Sequence, residues 1–393
     1  MDQLIKSKIA GKDPSELTVV VGMSGGVDSS VTAALLKEWG FNVIGLFMKN
    51  WEEKDENGVC NSSKEYADVI SVCEKLDLPY YSVEFVKEYR ENVFSHFVEE
   101  YKAGYTPNPD ILCNREIKFK VFFEKALELG ADFLATGHYC QTAKLDGENR
   151  LLKGLDKNKD QSYFLYTNKD IILEKVLFPI GGLEKSEVRD IANKYNLSTA
   201  EKKDSTGICF IGERNFKNFL SNYIDFEEGE FVTLSGEVVG RHSGLSFYTL
   251  GQRKGLGLGG PGEPWYVVAK DIENNKVIVE RGEFHPAMYC DELTATELSF
   301  VSGEFNLELP FKCKAKVRYR QQDQDCQIVS FDGDELKVIF DDPQRAVTPR
   351  QSIVFYTEMD GQSVCLGGAL IKAPGPSYFD RGIELPKGRV VQV

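Results

Sequence analysis

The chain has 393 residues, enough for two or three domains and a sizeable core, and a formal net charge of −14, which argues against nonspecific adhesion to nucleic acid or anionic lipid while leaving room for a local basic face. Its 42% hydrophobic and 27% charged residues suit a soluble globular protein, and no apolar run is long enough to span a bilayer. The N-terminal Met1-Asp2-Gln3-Leu4-Ile5-Lys6-Ser7 has neither a signal-peptide core nor transit-peptide character; nine scattered cysteines suit a reducing cytosol, and none of the four histidines has zinc-ligand spacing, so no metal centre is expected.

The first predicted element is a strand, Leu17–Val21. A tight turn follows, Gly22-Met23-Ser24-Gly25-Gly26-Val27-Asp28-Ser29-Ser30, and then a helix with Val31, Ala34, Leu35 and Trp39 on one face, stopped by Gly40. Glycines between a strand and a helix N-terminus let backbone N–H groups converge on an anion, and the helix dipole favours negative charge there. No Lys-[Ser/Thr] pair follows at Walker spacing. Residues 41–48 read as a second strand and 51–58 as a polar loop. Ser62-Ser63-Lys64-Glu65 signals a capping box for a helix bearing Tyr66, Val69, Ile70 and Cys73 on one side. A strand over 80–85 and a helix over 87–103, ended by Gly104, lead to Thr106-Pro107-Asn108-Pro109-Asp110. The next helix buries Phe119, Phe122, Phe123 and Ala126, and the strand 131–135 ends at Thr136-Gly137-His138.

This alternation predicts a doubly wound parallel sheet with ligands at the carboxyl ends of its strands, so one pocket can contain Gly22, Met48 and Gly137. Residues 141–154 read as a hairpin turning at Asp146-Gly147, and 185–197 as helix. From Phe231 onward short strands are joined at Ser235-Gly236, Asn274-Asn275, Asp332-Gly333 and Asp360-Gly361. The predicted organisation is an α/β domain over 1–224, a small β-rich module over 225–287, and a β-barrel over 288–393 whose tail, from Ala373-Pro374, is expected to be loosely held. Gly255-Leu256-Gly257-Leu258-Gly259-Gly260 matches a dinucleotide fingerprint, but Pro261, Gly262 and Pro264 follow where a helix is required.

Three stretches invite chemical readings. Cys113 lies near the start of the helix after residue 106, capped by either Asn108 or Asp110. The positive helix end favours a thiolate there, while burial as a structural cysteine is the competing outcome. Asp110 is close enough to position a proton or donor of a substrate. Cys209, in Gly207-Ile208-Cys209-Phe210-Ile211-Gly212, is either a core thiol or part of a segment whose two glycines permit movement. Lys312, Lys314, Lys316, Arg318 and Arg320 alternate with smaller or apolar residues. On one strand they form a cationic face, suited either to a protected edge or to phosphate contacts.

Gly22–Ser29, Asn108-Pro109-Asp110 with Cys113-Asn114, Ala135-Thr136-Gly137-His138-Tyr139, Lys159-Asp160-Gln161-Ser162-Tyr163, Ser205–Gly212 and Arg318-Tyr319-Arg320-Gln321 together resemble, over nearly the whole chain and in order, the tRNA-specific 2-thiouridylase family, whose loop is that of the N-type ATP pyrophosphatases. The resemblance implies an adenine nucleotide alpha hydrolase-like catalytic domain followed by the central module and a tRNA-binding barrel. It implies that Gly22, Met23, Ser24, Gly25, Gly26, Val27, Asp28, Ser29, Met48 and Gly137 bind ATP, with Mg²⁺ accompanying the nucleotide. Asn108, Pro109 and Asp110 would meet the wobble uridine, and His138, Lys159, Asp160, Gln161, Arg318, Tyr319 and Gln351 the tRNA. Cys209 would carry persulfide sulfur from a sulfur-donor protein, with Cys113 as the second thiol and Asp110 beside it. The expected enzyme is cytoplasmic, works away from membranes and is a monomer. The family pattern Thr-Pro-Gly-Gln-Ser appears here as Thr348-Pro349-Arg350-Gln351-Ser352, so the part played by Gln351 depends on what Arg350 does.

Overall fold

The computed structural model describes residues 1–52, 61–204, 216–303 and 307–386. Strands β1 (Thr18–Met23), β2 (Asn42–Lys49), β3 (Tyr80–Glu84), β4 (Phe133–Ala135) and, beyond a hairpin of β5 (Cys140–Leu145) and β6 (Glu148–Lys153), β7 (Val176–Leu177) build the N-terminal half. The five outside the hairpin pair in the order β3-β2-β1-β4-β7, all parallel. Both faces are covered, which is why Val19, Val20 and Val21 of β1 form a continuous apolar run rather than alternating. Val19 and Val21 join Val31, Val69 and Val188 on one side; Val20 joins Phe122, Phe123 and Leu134 on the other.

The helix Val27–Glu38 starts from Gly26 as its N-cap, without a side-chain cap, and Gly40 behind it takes a φ of 91°. The next helix runs Asn61–Lys75, so Ser62 lies inside it and the Ser62–Glu65 box does not form its cap. The helical stretch predicted over 87–103 is composite: Val86–Tyr89, a π turn at Arg90–Phe94, then Ser95–Lys102. A second π segment, Cys113–Val121, lies between Pro109–Leu112 and Phe122–Glu128.

The central sheet of β8 (Gly229–Val232), β9 (Val238–His242), β10 (Trp265–Asp271) and β11 (Lys276–Arg281) has the order β10-β11-β8-β9. Strands β12 (Tyr289–Phe300), β13 (Phe311–Lys316), β14 (Gln324–Phe331), β15 (Leu336–Arg345), β16 (Ser352–Met359) and β17 (Gln362–Pro374) pair in the order β12-β15-β14-β13-β16-β17, and β17 returns to β12, closing a six-stranded barrel. The predicted turn pairs fall between paired antiparallel strands, and Gly236, Asn275, Gly333 and Gly361 supply the positive φ such turns need. The β5–β6 hairpin leaves the parallel sheet and adds to the barrel through β6 and β17.

The expectation of a loosely held tail is overturned over residues 375–386. Gly375 N–H donates to the Glu292 carbonyl at 2.8 Å and Tyr378 N–H to that of Tyr289 at 3.0 Å. The Tyr378 ring is buried against Tyr266, Val268, Met288 and Tyr289, and Arg381 pairs with Asp291 at 3.0 Å. An aromatic anchor with two backbone bonds outweighs the proline- and glycine-rich composition that suggested mobility.

Candidate active site

The loop Gly22–Ser29 lies at the carboxyl end of β1, beside β4, where the strand order reverses; doubly wound sheets bind ligands at such a crevice. Gly25 has a φ of +73°, and a Cβ there would come 2.6 Å from the Glu65 carbonyl oxygen, so only glycine fits. A Cβ on Gly137 would meet the backbone of Asp28 and Ser29 at 2.8 Å, so the end of β4 lies directly against the helix start. Ser24 and Ser29 face each other with hydroxyls 3.2 Å apart, and Ser30 Oγ donates to the Gly26 carbonyl at 2.8 Å. Met48 is the next-to-last residue of β2, at the same edge of the sheet.

A network of charges adjoins this loop. Asp28 Oδ1 accepts from Tyr139 Oη and from Lys185 Nζ, each at 2.7 Å. Lys185 Nζ also reaches Asp204 Oδ1 at 2.8 Å, and Asp204 takes Lys159 at 2.6 Å and Arg189 at 3.1 Å. Burial pushes the Asp204 carboxyl up, but hydrogen bonds from Lys159 and Lys185 outweigh it and hold the group below the usual carboxylate range. Lys202 Nζ donates to the Gly25 carbonyl at 2.9 Å and pairs with Asp68 at 2.6 Å. Sequence reasoning missed Lys185, Lys202 and Tyr139. A lysine opening a helix has no local signal of function, because its anionic partner lies 157 residues away.

Asn108 is the cap of the next helix: its Oδ1 accepts from Asp110 N–H at 3.1 Å, with Pro109 in the first turn. That resolves the two placements and puts Cys113 beyond the first turn. Cys113 is 3% exposed, packed with Tyr89, Val93, Phe97, Ile117 and Leu220. Burial pushes its thiol up to about 11, Lys118 pulling the other way and Asp110 adding to the rise. Of the two alternatives the sequence left open, burial as a thiol is the one the structure favours at rest: desolvation outweighs the helix end. Burial raises the Asp110 carboxyl as well, again against Lys118. Lys118 is the cation common to the group. In the π segment successive i→i+5 hydrogen bonds bring residues five apart onto one face, which an α-helix would not do for Cys113 and Lys118. Asn114, 2% exposed, donates to the Phe164 carbonyl at 3.1 Å, and its Oδ1 has no hydrogen-bond partner among the described residues.

Cys209 lies outside the described residues. The described chain ends before it at Asp204, in the charge network beside the Gly22–Ser29 loop, and resumes after it at the helix Phe216–Leu220, whose Phe219 and Leu220 belong to the apolar cluster around Cys113.

The residues expected to face RNA have other contacts in this structure. His138 is buried beside Phe119 and Phe178, its Nδ1 2.8 Å from Thr136 Oγ1; burial, then the charge of Lys118, keeps it well below the usual histidine range and so neutral. Asp160 is buried and accepts from Gly154 N–H, Ser162 N–H and Ser162 Oγ. Gln161 brackets Tyr139, accepting from its N–H and donating to its carbonyl. Tyr319 lies half-buried against Phe164, ring centroids 4.4 Å apart.

The reading of five cations on one strand face is corrected. β13 ends at Lys316, which is buried near Asp160 and Asp323 at 3.7 and 3.9 Å. Arg318 Nη2 donates to the carbonyls of Leu250 and Ala346 at 2.7 and 2.9 Å and to Thr348 Oγ1 at 3.2 Å. Lys312, Lys314 and Arg320 remain exposed. Gln351 Nε2 donates to the Thr106 carbonyl.

Three family models match in succession: a tRNA methyl transferase HUP domain over residues 17–213, a tRNA methyl transferase PRC-barrel domain over 217–281 and an aminomethyltransferase beta-barrel domain over 290–371. With the parallel sheet and its glycine loop, they define the class as HUP-domain proteins carrying two β domains. The tRNA-specific 2-thiouridylase MnmA of Protochlamydia amoebophila is 63% identical over 95% of this chain and 98% of its own length. Its namesake from Bacillus subtilis is 56% identical over 92% of this chain and 96% of its own. The chain belongs to the tRNA-specific 2-thiouridylase family.

Proposed function

We propose that this protein uses ATP to activate a uridine of tRNA, at the wobble position, and replaces its 2-oxygen with sulfur. The observation that carries the reading is a link between two centres through the end of β4: Gly137 lies against Asp28 and Ser29 of the loop that Lys185 and Lys202 contact, and the next residue, His138, has Nε2 3.5 Å from Nζ of Lys118, the cation acting on the buried Cys113 thiol. The Gly22–Ser29 backbone would hold the phosphates of ATP, with the two lysines exchanging their carboxylate and carbonyl partners for phosphate oxygens. Mg²⁺ would arrive bound to the nucleotide as part of the substrate. Asp28 and Asp204 fit that ion, since magnesium on nucleotides takes one or two carboxylates and several waters.

Adenylation joins the uridine 2-oxygen to the α-phosphorus and releases pyrophosphate, turning a poor leaving group into AMP. A persulfide on Cys209, loaded by a sulfur-donor protein, supplies the sulfur in one of two orders. Its terminal sulfur attacks the ring carbon, and Cys113 then breaks the S–S bond; or Cys113 first releases sulfide, which attacks. Either order ends with a Cys113–Cys209 disulfide that a reductant must reopen. Both need Cys113 as a thiolate. Lys118 is the nearby cation that favours this form once a substrate covers the site. The free, buried cysteines among the described residues fit work in the reducing cytosol.

The test combines the purified chain, a tRNA transcript, ATP and a sulfide source, and measures 2-thiouridine by nucleoside mass spectrometry. Thiouridine should form only with ATP. Under persulfide loading, Cys113→Ser and Cys209→Ser should each give none while keeping the wild-type circular dichroism. Full activity in either variant overturns the two-thiol scheme.

A further inference from the structure

Residues 100–106 join the helix Ser95–Lys102 to the Asn108-Pro109-Asp110 loop, and both β domains grip them. From the central module, Ser246 Oγ donates to the Tyr101 carbonyl, Lys270 Nζ to the Gly104 carbonyl at 2.8 Å and Thr249 Oγ1 to Thr106 Oγ1 at 3.2 Å. From the barrel, Gln351 Nε2 donates to the Thr106 carbonyl. Arg350 brings Nε to 3.2 Å from Glu100 Oε2 and its guanidinium to 5.5 Å from the centre of the Tyr105 ring. The carbonyls involved lie at and just beyond a helix C-terminus, where cations and donors are favoured.

Arg350 holds a φ of +67°, a left-handed conformation that glycine adopts freely and side-chain-bearing residues resist. Here the arginine is retained in that conformation with its side chain directed to Glu100 and Tyr105. A cavity of about 300 Å³, lined among others by Gly104, Tyr105, Thr106, Lys270, Thr348 and Pro349, leaves the segment without close packing on one side. The polar contacts therefore fix it on that side, beside the apolar packing of Tyr101 in the cluster around Cys113 and of Gly104 against Leu245 and Ile272.

We propose that the two β domains form a clamp on residues 100–106, with Lys270, Arg350 and Gln351 as positioning residues for the Asn108–Asp110 loop. The inference rests on the proposed function in taking that loop as the one that meets the uridine. Thr106 is two residues from Asn108, whose side chain sets Asp110, and Cys113 follows in the same helical run. A shift at Thr106 therefore moves the groups that must align with the base.

The test uses the full chain with Gln351→Met, Lys270→Met, Arg350→Gly and Arg350→Lys. Single-turnover thiolation at saturating tRNA should fall at least fivefold in the first three, while Kd for tRNA stays within twofold. Arg350→Lys, which keeps the charge opposite Glu100, should retain most of the rate. Arg350→Gly relaxes the left-handed backbone, so its melting temperature should not drop and a lost rate cannot be ascribed to unfolding. Wild-type rates in the first three variants, or a raised Kd with an unchanged saturated rate, overturn the clamp; the second result makes Gln351 or Arg350 a direct tRNA contact. Amide hydrogen exchange over 104–112 gives a separate reading, faster in Gln351→Met and Lys270→Met and unchanged if the clamp is wrong. It applies even if the wild type makes no thiouridine, an outcome that would sink the proposed function and leave the clamp to be judged by exchange alone.

Discussion

At the scale of single residues, burial controls the chemistry. Cys113 carries a thiol pushed up to about 11, so at pH 8 about one molecule in a thousand holds the thiolate. Iodoacetamide should therefore modify Cys113 in the free protein far more slowly than a model thiol. Its rate, followed by peptide mass spectrometry, should climb about tenfold per pH unit until near pH 11. Rapid modification at pH 7 would show that the resting pocket is wetter than described. Lys118→Met removes the cation that opposes this rise and should slow the alkylation further at every pH. Lys185 invites a different measurement. Its side chain is only 13% exposed, and its ammonium group bridges Asp28 and Asp204. Lys185→Met should cut ATP-dependent turnover by about tenfold to a hundredfold, or ~1.4–2.7 kcal/mol, with Lys185→Arg recovering part of it. An unchanged KM for ATP and unchanged turnover would exclude the lysine from the phosphate site.

At the scale of elements, period and punctuation were readable and departures from regular geometry were not. The apolar run of β1, the glycines of the anion loop and the hairpin pairs such as Asp332-Gly333 each have a local physical cause, so they announce themselves in order along the chain. The π segment at Cys113–Val121 has no such local signal: its Cys113 and Ile117 pack in one cluster with the distant Phe219 and Leu220, and the influence of Lys118 on Cys113 was hidden. β13 failed for a related reason. Alternation of Lys and Arg reads the same whether the strand continues or stops, and here it stops at Lys316. This changes which substitutions should report on nucleic acid. Removing the exposed Lys314 or Arg320 should lower the salt slope of tRNA binding by up to about 1 each. Arg318→Gln should instead cost about 2–3 kcal/mol of stability, because it strips donors from three part-buried acceptors. A changed salt slope with unchanged melting in Arg318→Gln would reverse that assignment.

At the scale of the whole molecule, the parallel-sheet domain and the barrel share one core although the barrel is separated from that sheet in sequence by the central module. Leu151, Tyr163 and Tyr166 from the first half pack in one cluster with Val301, Val354, Tyr356 and Cys365 from the barrel. Tyr163 Oη donates to the Ser352 carbonyl at 2.8 Å, Lys153 pairs with Asp323 at 2.5 Å, and β6 continues the barrel sheet through β17. A fragment ending at residue 224 would leave this apolar face uncovered and β6 as an open edge, both routes to aggregation. It should be insoluble or molten, and the full chain should melt these two parts together. The check is differential scanning calorimetry of the full chain beside circular dichroism of residues 1–224. A soluble fragment with a cooperative transition of its own would show that the shared cluster is an interface between independent domains, and that the hairpin is a docking strap rather than part of a common core.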